Sequence, residues 1–138
     1  MEKNYMKNID KGKVKKIMYA YIDGDDIGLR IEQSFMDNDE LNLKKVNDNV
    51  KLIVEKITTY LIKNKAEIIF SGADGIICKG EDLDAKKIIE FIRNISKEIS
   101  FSIGVGISLR DAFLALRYAK SSGKNIVAIY TNNFKLIR

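Results

Sequence analysis

The chain has 138 residues, 46% hydrophobic and 31% charged, enough for one packed core and too apolar for a disordered chain. It contains no His and a single Cys, Cys78, which excludes Ser–His and Cys–His catalysis, His-ligated zinc, internal disulfides and multi-cysteine metal sites. The net charge of +5 favours anionic partners: nucleotides, nucleic acid or a membrane surface.

Residues 1–15 form a basic N-terminal segment carrying Lys3, Lys7, Lys11, Lys13 and Lys15, either a solvated tail or an arm that touches phosphates. Residues 16–138 read as one domain without linker or repeat. No apolar stretch reaches the roughly 18–20 residues of a membrane span, and no signal-peptide core follows Met1. The expectation is a cytoplasmic protein.

Lys16 to Asp23 is apolar on both faces and reads as a central strand. Gly24-Asp25-Asp26-Ile27-Gly28 breaks it, and residues 29–42 fit a short helix and a loop. Val46, Val50, Ile53, Ile57 and then Tyr60 or Leu61 recur as one face of a long helix. Glu67–Phe70 and Ile76–Lys79 flank the turn Ser71-Gly72-Ala73-Asp74-Gly75 and read as a hairpin. A second long helix starts near Asp82 or Asp84, with Ile88, Ile92, Ile95 and Ile99 on its apolar face.

Phe101 to Ser108 alternates strictly: Phe101, Ile103, Val105 and Ile107 on one face, Ser102, Gly104, Gly106 and Ser108 on the other. A strand face without bulky side chains lets another backbone or a helix approach closely. Ser108 to Asp111 opens a third long helix with an imperfect capping box, and Gly123 closes it. Asn125–Tyr130 is the last strand expected, followed by a polar-to-basic tail. The order is α+β: a ferredoxin-like βαββαβ unit with an added helix–strand pair.

Asp23, Asp25 and Asp26 put three carboxylates within four residues at the end of the first strand. They repel one another unless solvent or a cation shields them. Asp23 and Asp25 point to the same side of an extended chain, and Gly24 leaves a carbonyl unobstructed. A hard cation such as Mg2+ uses this kind of oxygen set together with phosphate and water. An Asp-rich turn needs no cation, so that alternative stands beside it. In a βαββαβ fold the hairpin turn carrying Asp74 lies near Asp23, and a dyad of this kind can hold metals over a triphosphate. Lys120 and Lys124, near the end of the third long helix, suit either the helix C-terminus or outer phosphates. Cys78 sits in an apolar run and reads as a small core residue.

These segments resemble a family. Asp23-Gly24-Asp25-Asp26-Ile27 resembles the DxDxF segment of GGDEF-type nucleotidyl cyclase domains, and Ser71–Gly75 stands where those domains carry the GGDEF hairpin. Ser102-Ile103-Gly104-Val105 is similar to their SIGV strand, and Ala115–Asn125 to their closing ALxxAKxxG(K/R)N. Within this superfamily the short chain and its YIDGDDIG segment resemble the minimal CRISPR polymerases, stand-alone relatives of the palm domain of type III CRISPR complexes.

The resemblance implies a palm-type nucleotidyltransferase that makes a cyclic di- or oligonucleotide messenger in anti-phage defence, read by a downstream effector. It implies Mg2+ or Mn2+ held by Asp23, the Gly24 carbonyl, Asp25 and Asp74, with Asp23 and Asp74 catalytic. Gly24, Asp26, Ile27, Gly28, Gly72, Lys120 and Lys124 are implied to bind the nucleotide. Joining two nucleotides implies a homodimer. Nucleic acid is not required. Two departures stand out: Ala73 replaces an acid in the hairpin, and Ile31 replaces the guanine-reading Asn of diguanylate cyclases, which favours ATP. A catalytically inactive nucleotide sensor is the alternative, supported by Ala73. A cyclohydrolase on a palm-like fold is another, and a plain RNA-binding module lacks the aromatic sheet surface expected of it.

Overall fold

A computed structural model of the protein describes residues 16–138; the basic segment 1–15 lies outside the described residues. The elements are β1 (Ile17–Gly24), α1 (Ile27–Met36), α2 (Glu40–Lys63), β2 (Glu67–Gly72), β3 (Gly75–Glu81), α3 (Ala85–Ile95), β4 (Phe101–Gly106), α4 (Leu109–Ser121), β5 (Val127–Tyr130) and β6 (Phe134–Ile137). The strands form one sheet in the order β2-β3-β1-β4-β5-β6. β1 is central and antiparallel to both neighbours, and only β4–β5 among these pairings is parallel. This is the expected α+β palm, extended beyond the appended helix–strand pair by one more strand.

The core lies between one sheet face and α2 and α3. Val46, Val50, Ile53, Ile57 and Leu61 of α2 and Ile88, Ile89 and Ile92 of α3 pack with Ala20, Ile22, Ile76, Cys78, Phe101 and Ile103. Asp39 and Asp84 cap these helices, accepting the N–H groups of Asn42 and Lys87.

The opposite face receives α4. A Cβ on Gly104 would fall 2.2 Å from the Leu116 nitrogen and 2.3 Å from the Ala112 oxygen; one on Gly106 would fall 2.5 Å from Asp111 Cβ. The Ser/Gly face of β4 is therefore the seat of α4, and every residue of β4 is buried. Ser108 caps α4 by accepting the Asp111 N–H at 3.1 Å. A second small core of Ala115, Ala119, Ile126 and Ala128 closes beneath the helix.

Three expectations are corrected. Ile99 is buried but lies beyond α3, which ends at Ile95; Ser96 terminates it, and its hydroxyl donates to the Ile99 carbonyl. The hairpin strands run to Gly72 and Gly75, leaving only Ala73 and Asp74 as the turn. The C-terminal tail is not irregular: Phe134–Ile137 pairs with β5 as an edge strand, and Phe134 stacks on Tyr118 and Tyr130. Among the described residues, no helix is long and apolar enough to cross a membrane.

Candidate active site

β1 carries Asp23 to the rim of the sheet. Alternation places Tyr19, Tyr21 and Asp23 on the face that holds α4, while Ala20 and Ile22 sink into the core. Asp23 pairs with Gly75 on one side and Ser102 on the other. The Gly24 N–H donates to the Asp74 carbonyl at 3.0 Å, tying the end of β1 to the hairpin turn. A Cβ on Gly24 would sit 3.5 Å from Asp74 Cβ, and one on Gly75 would sit 3.2 Å from Asp23 Oδ1. The hairpin turn carrying Asp74 thus lies against the end of β1 that carries Asp23, as the topology predicts. Burial raises the Asp23 pKa, Lys120 opposes the rise, and the Asp74 charge adds to it. Ala73 takes the turn at φ 50°, a left-handed conformation that costs a non-glycine residue roughly 1 kcal/mol.

Asp25 turns inward and is only 4% exposed. Its Oδ1 accepts from the Ser102 hydroxyl at 2.7 Å and Lys120 Nζ at 2.8 Å; its Oδ2 accepts from the Ser100 hydroxyl at 2.7 Å and the Asn125 N–H at 3.0 Å. Burial alone would raise its pKa, but the bonds from Lys120, Ser100 and Ser102 outweigh that and hold it below the usual value. With both oxygens engaged by protein donors, Asp25 is placed as an anchor of the site and not as an open metal ligand. This departs from its expected place in the ligand set.

Lys120 reaches from the last turn of α4 into the same cluster. Its Nζ lies 2.8 Å from the Gly24 carbonyl, 3.1 Å from Asp23 Oδ2 and 3.4 Å from the Asp23 carbonyl, besides Asp25. Burial would lower its pKa, but its bond to Asp25 and the charges of Asp25 and Asp23 raise it. Lys124 pairs with Asp26 Oδ1 at 2.5 Å. Both lysines, expected on outer phosphates, rest here on the acids of the 23–26 segment. Gly123, Lys124 and Asn125 all have positive φ, and Arg93 donates to both the side-chain and main-chain oxygens of Asn125. That loop, whose Asn125 N–H donates to Asp25, positions Lys124 relative to β1.

Asp26 precedes α1 with φ 61° and does not cap the helix with its side chain. The N–H groups at the start of α1, around Ile27 and Gly28, therefore lack a side-chain cap at the acidic rim, a disposition suited to an anion. Gly72 lies at the opposite end of the hairpin turn, under the Phe70 ring. Between α1, α2 and the turn opens a cleft of about 670 Å³. Its walls include Ile27, Ile31, Val46 and Val50, with Lys44, Asn47, Lys51 and Asp74 as polar or charged members.

Tyr21, Ser100, Ser102, Arg93 and Asn125 escaped sequence reasoning as site members. Alternation along β1 carried a signal for Tyr21, whose pKa burial raises first and Asp23 and Asp74 raise further. Ser100 and the main chain of Asn125 act through loop geometry, and Arg93 reaches that loop from α3; no local pattern encodes these contacts.

Asp23, the Gly24 carbonyl and Asp74 offer two carboxylates and one carbonyl, hard oxygen donors of the kind that could hold Mg2+ together with phosphate and water. Among the described residues, no group of three or more His, Cys, Asp and Glu could hold a metal ion. The donors fit a metal that arrives with a triphosphate better than a self-sufficient metal cage.

A family model described as a minimal CRISPR polymerase domain matches residues 19–130. No curated protein matches the sequence. Among solved structures, the active GGEEF domain of a diguanylate cyclase from Vibrio cholerae is similar at 22% identity and TM-score 0.63, over 83% of this chain and 82% of that one. A diguanylate cyclase/phosphodiesterase from Caldicellulosiruptor saccharolyticus is similar at 15% identity and TM-score 0.66, over 98% and 90%. The adenylyl cyclase CyaB from P. aeruginosa is similar at 13% identity and TM-score 0.52, over 83% and 76%. These likenesses establish the nucleotidyl cyclase fold.

Proposed function

Because the chain belongs to the minimal CRISPR polymerase domain family, we propose that it is a nucleotidyltransferase that converts ATP to a cyclic di- or oligonucleotide messenger in anti-phage defence. The observation that carries this reading is that the 3.0 Å bond from the Gly24 N–H to the Asp74 main-chain carbonyl brings the hairpin turn carrying Asp74 against the end of β1 carrying Asp23. The uncapped start of α1 and the cleft against Asp74 support it, because together they offer places for phosphates and for a base.

Asp23, the Gly24 carbonyl and Asp74 would hold Mg2+ or Mn2+. The ion would polarise the α-phosphate and lower the pKa of the attacking ribose hydroxyl. The N–H groups around Ile27 and Gly28 would orient the triphosphate. Lys124 would exchange Asp26 for an outer phosphate oxygen and stabilise the leaving pyrophosphate. Asp25 holds the loop that presents Lys124 and bonds Lys120, at the end of α4, directly. The apolar walls of the cleft would take the base, with Ile31 in place of a guanine-reading amide. A second copy would present the second nucleotide, and an effector would read the product.

The test is incubation with each nucleoside triphosphate and Mg2+ or Mn2+, with products identified by mass spectrometry beside Asp23→Ala and Asp74→Asn. A cyclic adenylate is expected from the unaltered protein, with a loss of at least about 100-fold in either variant. Full activity in Asp23→Ala would overturn the metal assignment. Nucleotide binding without any product would favour the inactive sensor, a reading that Ala73 in the hairpin specifically supports.

A further inference from the structure

Lys120 occupies an unusual position for a phosphate ligand. Its ammonium touches the Gly24 carbonyl and the Asp23 carboxylate, two of the oxygen groups that the proposed function gives to the metal. An ammonium has three N–H donors, and four oxygens surround this one, on Asp23, Gly24 and Asp25. Asp25 is the more deeply buried of the two carboxylates and is held in place by Ser100, Ser102 and Asn125. Lys120 can therefore keep Asp25 while releasing the oxygens at the rim.

We propose that Lys120 is a built-in counter-ion that competes with the divalent cation for Asp23 and Gly24, so that metal binds well only when a triphosphate arrives with it. This rests on the reading of Asp23 and Gly24 as metal ligands. The physical basis is charge. A cation on the Gly24 carbonyl and Asp23 Oδ2 would lie against an ammonium already bonded to both, and like charges at such separations repel strongly in a partly buried site. A triphosphate reverses the balance: it brings oxygen ligands for the metal and negative charge to receive the displaced ammonium. Lys120 would thus couple metal entry to nucleotide entry and keep free cations from loading the site alone. The other oxygen of Asp23, Oδ1, faces Gly75 and the hairpin, so it remains available for a metal shared with Asp74 once Lys120 lets go.

The experiment is Mn2+ binding without nucleotide, followed by electron paramagnetic resonance of the free ion. The proteins are the unaltered chain, Lys120→Gln, Asp23→Asn and the double variant, each checked for folding by circular dichroism. Lys120→Gln is expected to bind Mn2+ about tenfold more tightly, the effect of removing one nearby positive charge, and the double variant is expected to lose that gain. If Lys120→Gln binds no more tightly while Asp23→Asn abolishes binding, the counter-ion proposal fails and the metal reading stands. If Mn2+ binding is independent of Asp23 in both backgrounds, the metal reading fails and takes this proposal with it.

A second measurement needs no variant. Acetylation of Lys120 in the unaltered protein, quantified by mass spectrometry, should speed up when Mn2+ alone saturates the Asp23 site. An unchanged rate at saturation would also overturn the proposal.

Discussion

Lys120 Nζ lies 2.8 Å from Asp25 Oδ1, joining the end of α4 to the segment that follows the central strand. The pair is separated by 95 positions in sequence, yet it fixes the geometry of the whole rim. Lys120 also holds the Asp23 and Gly24 oxygens, and Asp25 also holds Ser100, Ser102 and Asn125. One buried carboxylate therefore ties the β1 terminus, the start of β4 and the loop after α4 together.

Stability should depend on pH through this pair, with opposite signs at the two ends of the scale. The folded pKa of Asp25 lies below its unfolded value of about 3.9. Its contribution is present above that value and is lost as pH falls through the folded one. The folded pKa of Lys120 lies above its unfolded value of about 10.4. Its contribution is complete below that value and is lost as pH rises through the folded one. Asp25→Asn should cost roughly 3 kcal/mol near neutrality, because it breaks a buried pair and leaves its donors poorly matched. Thermal melts of both proteins from acid to neutral pH check this. The gap, on the order of 10 °C, should begin to narrow as pH falls below about 3.9 and close only once pH has fallen through the lower folded value; a gap independent of pH would remove the charge from the explanation.

Gly104→Ala should be among the most damaging single-methyl changes in the chain. Its Cβ would enter the backbone of α4, 2.2 Å from the Leu116 nitrogen, and backbone cannot rotate aside as a side chain does. The cost is expected at the upper end of overpacking, about 3 kcal/mol. The displaced helix carries Lys120, so the alignment of the rim should be disturbed as well. Urea unfolding measures the first effect. A Gly28→Ala control, whose Cβ meets nothing within 4 Å, should cost far less.

Most of the fold was legible because burial follows short periods. The α2 face at Val46, Val50, Ile53 and Ile57 was readable from helical spacing, and the seat of α4 from the alternating Ser/Gly face of β4. β6 was missed because Thr131 to Arg138 has weak alternation; its order comes from pairing with β5 and from Phe134 stacking on Tyr118 and Tyr130. At the site, topology was enough to bring Asp74 to Asp23. The direction of Asp25 was not readable, because extended geometry past Gly24 was assumed. The chain instead turns there, with Asp26 at φ 61°, and the Asp25 carboxylate points into the protein. The position of Lys120 in the last turn of α4 was readable, but its oxygen partners depend on that same turn.

Cys78 should behave as an internal reporter of unfolding. It is fully buried in β3, and burial pushes its thiol pKa up to about 11. The thiolate that reacts with alkylating reagents is therefore scarce at neutral pH, and the sulfur is shielded besides. Labelling by iodoacetamide should be negligible in the folded protein and should follow the unfolding transition in urea. Rapid labelling under native conditions would show that β3 opens locally, and with it the hairpin that carries Asp74.

Base choice should respond to Ile31, which lines the cleft beside Asp74 from the α1 side. An isoleucine there offers apolar contact and neither donor nor acceptor, so it cannot reward the edge of a guanine. Asparagine at this position would add both groups on a side chain only one-third exposed in the parent residue. One neutral hydrogen bond gained by a guanine is worth about 0.5–1.5 kcal/mol, or roughly 2- to 10-fold. Ile31→Asn should therefore improve GTP relative to ATP by that factor in competition binding, while thermal melts show little change because the site is at the cleft surface. An unchanged GTP/ATP ratio would mean that the base does not lie against α1, and the search for its contacts would move to Asn47 on the opposite wall.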